Sequence, residues 1–159
     1  EISCSLVGSE MCIRDRWMDA VYEPGEVKVV AYNKDGKAVA EKTVRTAGKP
    51  HHIELVSNRN ELTADGKDLA YVTVKVVDKD GNLCPTDSRL IHFSVKGAGK
   101  FRAVANGDPT NLEQFHLPKM HAFHGMLTAI VQAGEIAGDL VLTAKASGVK
   151  TGTVHLQAK

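Results

Sequence analysis

Apolar and polar residues alternate along this chain in short bursts, and glycine, aspartate and asparagine separate one burst from the next. From Val27 the run VKVVAY, the turn NKDG at Asn33 to Gly36, and the run KAVAEKTVRT form a period-two pattern on both sides of an Asp-Gly turn, which predicts a hairpin. Ala47, Gly48, Lys49 and Pro50 interrupt the alternation and mark a candidate domain boundary. Beyond His51 the alternation resumes at Ile53 and Leu55, at Val72, Val74 and Val76, and at Ile91, Phe93 and Val95. After a long irregular stretch it returns at Met126 to Ala133, then at Leu140, Leu142 and Ala144, and finally at Val154 and Leu156. Thr143, Lys145, Thr153 and His155 fall on the opposite, outward side of those last strands. Turn signals stand between the bursts at Asp65-Gly66, Asp80-Gly81, Gly97 to Gly99, Gly134, Gly138 and Ser147-Gly148, and no long segment keeps a helical period. The pattern predicts an all-β chain, an immunoglobulin-like β-sandwich preceded by the last strands of a second β-sandwich domain.

Length sharpens this division. A chain of 159 residues holds one sandwich of about 100 residues and part of another, and is too short for a barrel enzyme of about 250. The expected organisation is residues 17–48 as the C-terminal strands of a truncated accessory domain and residues 50–159 as a complete final sandwich. A hydrophobic content of 43% with 25% charged residues is that of a chain able to build a packed core. The net charge of +1, with basic and acidic residues interspersed, leaves no footprint for nucleic acid or a membrane surface as partner.

Residues 1–16, EISCSLVGSEMCIRDR, have no strand or helix period, and Ser5 to Arg16 resembles the translation of a transposon-type sequencing adapter. That stretch is expected to be unstructured and foreign to the fold. Two of the three cysteines, Cys4 and Cys12, lie in it, so Cys84 stands alone and no disulfide framework is expected; beside Pro85 it is expected to be a small buried residue.

The irregular segment NGDPTNLEQFHLPKMHAFHG, Asn106 to Gly125, gathers most of the polar novelty of the chain. Its histidines, His116, His121 and His124, offer nitrogen ligands, but their spacing matches no zinc arrangement and no cysteine is near. Asp108 and Glu113 could be drawn as a carboxylate pair of the glycosidase kind, yet a loop lacks the cleft that such a pair needs. The simpler expectation is a turn at Asn106-Gly107, local backbone bonds from Asp108 and Thr110, and anchoring of the loop by Phe115 and Phe123. Asp78, Asp80 and Asn82 resemble a calcium loop only in part, since no bidentate Glu follows at the required spacing. No nucleophile elbow and no phosphate-cradling glycine loop is present. Trp17 is the single Trp, and Tyr22, Tyr32 and Tyr71 are dispersed as sheet-surface residues rather than grouped as a sugar platform. No catalytic residue, metal ligand or cofactor-binding residue is therefore assigned, and no cofactor is expected.

The run VYEPGEVKVVAYNKDGKAVAEKTVRTAGKPHHIEL, then LTADGKDLAYVTVKVVDKDGNLCP, VANGDPTNLEQFH and AFHGMLTAIVQA resembles the C-terminal end of bacterial β-galactosidases of glycoside hydrolase family 2. The resemblance runs from Trp17 to Lys159 and rests on the order and spacing of these motifs together. It implies a larger enzyme whose catalytic barrel carries two glutamates, with immunoglobulin-like domains following it. Neither glutamate has a matching position here, so the fragment itself is expected to be inactive, an accessory part of an enzyme that hydrolyses terminal β-galactosides, β-glucuronides or β-mannosides. The partners implied are the barrel and a neighbouring accessory domain, packed within one polypeptide, and the location implied is the periplasm or cell surface. Asn106, Asp108, Glu113, Phe115 and His116 are the candidate residues of a loop at the cleft rim or a domain contact. Two other readings share the strand pattern: a surface adhesion module of bacterial immunoglobulin-like domains, and a carbohydrate-binding module.

Overall fold

The computed structural model describes residues 21–159. The readings of residues 1–16, and of Cys4, Cys12 and Trp17, lie outside the described residues. Among those described there is no helix, and so none long and apolar enough to cross a membrane.

The predicted hairpin forms from β1 (Glu26–Tyr32) and β2 (Ala38–Arg45). Its turn is set by Asn33, whose Oδ1 accepts the backbone N–H of Asp35 at 3.0 Å and of Lys37 at 2.8 Å. One face carries ion pairs between Lys28 and Glu41 and between Arg45 and Glu26, each 2.8 Å. The other places Val27 opposite Val44 and Ala31 opposite Ala40, and its valines are exposed.

The linker that follows is held. Gly48 donates its N–H to Asp78 Oδ2 at 2.8 Å, and His51 donates to the Val77 carbonyl at 2.8 Å. Asp78 is the one buried charged residue among those described, and its Oδ1 also accepts the backbone N–H groups of Asp80 and Asn82. The Gly48 N–H first, and then the Asn82 amide, hold the Asp78 carboxyl well below the usual carboxylate range. The turn from Asp78 to Asn82 resembles the one at Asn33 in side-chain chemistry, but only a single bridge, Val77 to Leu83, closes it.

Residues 52–158 fold into two facing sheets, as the alternation predicts. One sheet has the order β3 (His52–Ser57), β5 (Leu69–Val77), β9 (Met126–Ala133), β7 (Gly99–Ala105). The other has the order β4 (Glu61–Leu62), β11 (Gly152–Ala158), β10 (Gly138–Lys145), β6 (Leu90–Gly97), β8 (Lys119–His121). Val72, Val74 and Val76 from one layer and Ile91, Leu140 and Leu142 from the other are fully buried between them. Phe93 and Phe101 stack across the core at 5.8 Å. Cys84 is free and buried, as expected, with Sγ 3.8 Å from the Gly48 carbonyl oxygen.

Three strands were not anticipated. β4 and β8 are too short to show a period, and β7 breaks its period at a bulge between Phe101 and Ala103. β6 and β7 lie in different sheets, so Gly97 to Gly99 is a corner between layers. At that corner Gly97 has φ +93°, and a Cβ there would stand 2.0 Å from the Asp139 carbonyl oxygen.

Candidate functional site

The segment between β7 and β9 leaves the four-stranded sheet, supplies β8 to the five-stranded one and returns, and its side chains explain its shape. Three turns follow in series, each made by an Asn or Asp side chain accepting an N–H two residues on. Asn106 Oδ1 takes the Asp108 N–H at 3.1 Å, Asp108 Oδ1 the Thr110 N–H at 2.8 Å, and Asn111 Oδ1 the Glu113 N–H at 2.9 Å.

The loop is then tied to β8. Asn106 Nδ2 donates to the His121 carbonyl at 2.9 Å, and the Glu113 carboxylate accepts both the backbone N–H and the Nδ1–H of His121, each at 3.1 Å. Asn111 Nδ2 closes the ring onto Asn106 Oδ1 at 3.3 Å. Met120, next to this knot, is fully buried and fastens it to the core. Of the residues singled out from sequence, Asn106, Asp108 and Glu113 come together here.

Phe115 and His116 do not join them. Phe115 does not anchor the loop as expected, because its side chain is 54% exposed and only its carbonyl is used, accepting the Val104 N–H at 2.8 Å. Leu112 is 96% exposed, and His116 is exposed as well. The loop thus has a polar interior and presents two apolar side chains and an imidazole outward. This inversion follows from the turn chemistry, which fills the inside of a tight loop with Asn, Asp and Glu and leaves no room for a ring.

Asn111 and His121 were missed as the residues that hold the site. The signal was present: Asn-x-Glu at 111–113 repeats the Asx spacing of Asn-x-Asp at 106–108 and Asp-x-Thr at 108–110.

The loop returns to β9 through a two-residue turn at His124 and Gly125, with φ of 51° and 73°. Phe123 and Met126 exchange both backbone bonds across it at 3.0 Å, the pattern of a type I′ turn. A Cβ at Gly125 would stand 2.2 Å from the Cys84 carbonyl oxygen, so no other residue fits. His124 gains from Phe123, whose ring centroid lies 4.2 Å from its own.

Chemically, the arrangement is one of fixed shape. The Thr110 hydroxyl and then the Thr110 N–H keep the Asp108 carboxyl below the usual carboxylate range, so at neutral pH it is a bound anion with no proton to donate. Glu113 is engaged by both donors of His121. Among the described residues, no three His, Cys, Asp or Glu side chains group as a metal ion requires.

Comparison with known proteins gives the context. The profile described as glycoside hydrolase family 2 C-terminal domain 5 matches residues 53–155. A second, described as a domain of unknown function (DUF4982), matches residues 8–40 and so begins inside the adapter-like stretch. The chain is 44% identical over 138 residues to the beta-galactosidase BoGH2A of Bacteroides ovatus, covering 87% of this chain and 16% of that protein. It is 34% identical over 111 residues to a beta-galactosidase of Thermoanaerobacter pseudethanolicus, covering 70% of this chain and 13% of the relative. Among solved structures, a glycosyl hydrolase family 2 member from Bacteroides cellulosilyticus superimposes with a TM-score of 0.79 at 32% identity, over 87% of this chain and 18% of that one. The chain therefore spans about a sixth of the length of these relatives.

Proposed function

Because the chain belongs to glycoside hydrolase family 2 and matches only a small C-terminal part of its relatives, we propose that it is a non-catalytic accessory segment of a larger enzyme that hydrolyses terminal β-galactosides. One observation carries this reading: 87% of the chain aligns with 16% of a beta-galactosidase. The choice of β-galactoside over β-glucuronide or β-mannoside is supported by the names of the two relatives above 30% identity. The family match also favours the hydrolase over an adhesion array or a free-standing carbohydrate-binding module.

The partner is then the remainder of the same polypeptide. The β1–β2 hairpin supports this, since a two-stranded sheet is marginal alone and Val27, Val29 and Val44 are 67%, 50% and 63% exposed. Strands of a preceding sandwich would cover that face. The loop of Asn106, Asp108, Glu113, Phe115 and His116 is the second contact, its polar knot holding Leu112, Phe115 and His116 toward the rim of the substrate cleft or a domain neighbour. Residues 17–48 and 50–159 form the two accessory units of this reading, in a protein of the periplasm or cell surface. Cell fractionation checks that location, and recovery of the enzyme only from the cytoplasm overturns it.

The test uses the intact enzyme with Leu112→Ser, Phe115→Ala and His116→Ala combined, none of which breaks the knot. A raised KM for an aryl β-galactoside places the loop at the cleft rim, and a lowered Tm at unchanged KM places it at a domain contact. Unchanged kinetics together with an unchanged Tm overturn the role of the loop. Preference of the intact enzyme for an aryl β-glucuronide or β-mannoside overturns the substrate.

A further inference from the structure

The two sheets of the sandwich differ in what they show to the outside. On the five-stranded sheet, β6, β10 and β11 turn Lys96, Lys145, Thr153, His155 and similar polar residues outward, with Leu90 and Val141 the aliphatics among them. On the four-stranded sheet the register aligns Val56 with Thr73, Thr73 with Thr128, and Thr128 with Ala105. The adjacent row aligns Tyr71 with Ile130 and Ile130 with Ala103.

These two rows form an area whose centre on β5 and β9 is uncharged, with Arg102, in the β7 bulge opposite Ile130, at its outer edge. Val56 and Tyr71, 44% and 45% exposed, are its open side chains, and the Glu54–Lys75 ion pair at 3.4 Å stands along one border. An uncharged centre with an aromatic residue and a charged border is the composition of a protein interface, not of a solvated sheet face.

We infer that the outer face of the β3-β5-β9-β7 sheet, centred on Tyr71 and Ile130, is the surface by which this sandwich docks on the remainder of its own polypeptide. The inference rests on the reading of the chain as part of a larger enzyme and adds which face is used. Two observations favour that occupant over any other. Some five-sixths of the length of the relatives lies outside this chain, so a large surface of the same molecule is available. The polypeptide enters the sandwich through Pro50 and His51 directly into β3, the edge strand of this same sheet, so what precedes the linker is tethered beside this face. The uncharged centre asks for an apolar partner surface, with groups to meet Glu54 and Lys75 at one border and Arg102 at the other.

Hydroxyl-radical footprinting of the intact enzyme and of the 159-residue chain tests this, with Tyr71 as the reporter and His155, on the polar sheet, as the control. Tyr71 is expected to be labelled about fivefold less, or lower still, in the intact enzyme than in the separate chain, with His155 alike in both. Ile130→Lys in the intact enzyme is expected to restore Tyr71 labelling while leaving the melting temperature of the separate chain unchanged. Equal labelling of Tyr71 in both proteins overturns the inference. If Phe115 is protected in that case, the sandwich is docked through another surface and the reading of the chain as an integrated segment stands. If neither is protected, both fail. Protection of Tyr71 in the separate chain that grows with concentration assigns the face to a second copy and overturns the inference as well.

Discussion

Single residues decide the two rigid points of the molecule. Asp78 gathers the N–H groups of Gly48, Asp80 and Asn82, and its carboxyl is held below the ordinary range by the Gly48 bond first. A carboxyl with a folded pKa below its unfolded value of about 3.9 stabilises the fold fully above that value and ceases to do so as the pH falls through the folded one. Asp78→Asn is therefore expected to lower the melting temperature at pH 7 and to flatten the loss of stability on acidification below about pH 4. Thermal melts of both proteins from pH 7 to pH 2 check this, and parallel curves contradict it. At the other point, Glu113→Ala removes the acceptor of the His121 N–H and is expected to cost about 1 kcal/mol. Amide exchange at His121 should rise while that of Val72 and Val131 holds. Asp78 was visible in the sequence as part of a turn, but its bond to Gly48, thirty positions away, was not. Phe115 shows the complementary limit: aromatic character suggested an anchor, whereas the knot beside it had already taken the interior.

At the scale of elements, alternation was sufficient wherever a strand was long and had one wet face. β3, β5, β6, β9, β10 and β11 all include their predicted apolar positions, because a period of two maps directly onto the two sides of a pleated sheet. β7 escaped because the bulge at Arg102 shifts the register between Phe101 and Ala103, so that its inward residues, half-buried Phe101 and buried Val104, fall three apart. β4 and β8 have two and three residues and are strands only through their partners, β11 and β6. Leu140, fully buried on a central strand, is where the packing is least forgiving: Leu140→Ala should cost about 2–5 kcal/mol in a urea titration. Gly125→Ala should cost more than about 1–2 kcal/mol, since strain at φ +73° adds to collision with the Cys84 carbonyl. A loss near zero for either would mean that the packing described is wrong at that place.

Across the whole molecule, the fold class was legible and the geometry of the candidate loop only in part. The strand order across two sheets depends on pairings such as β10 with β6 and β9 with β5, which no local pattern encodes. The loop from Asn106 to Gly125 stood out by its polarity, and three of its five candidate residues do meet, but which side chains it offers outward became clear only from the turns. Asp108 and Glu113 of the candidate loop are engaged by backbone N–H groups, and the chain matches about a sixth of the length of a family 2 hydrolase. Both observations support the proposal that bond cleavage is carried out elsewhere in a longer protein. The measurement that tests this most directly is turnover of an aryl β-galactoside by the purified 159-residue chain. The account predicts a rate no greater than that of the buffer, and hydrolysis at enzyme-like speed, removed by substitution of Asp108 or Glu113, would contradict it.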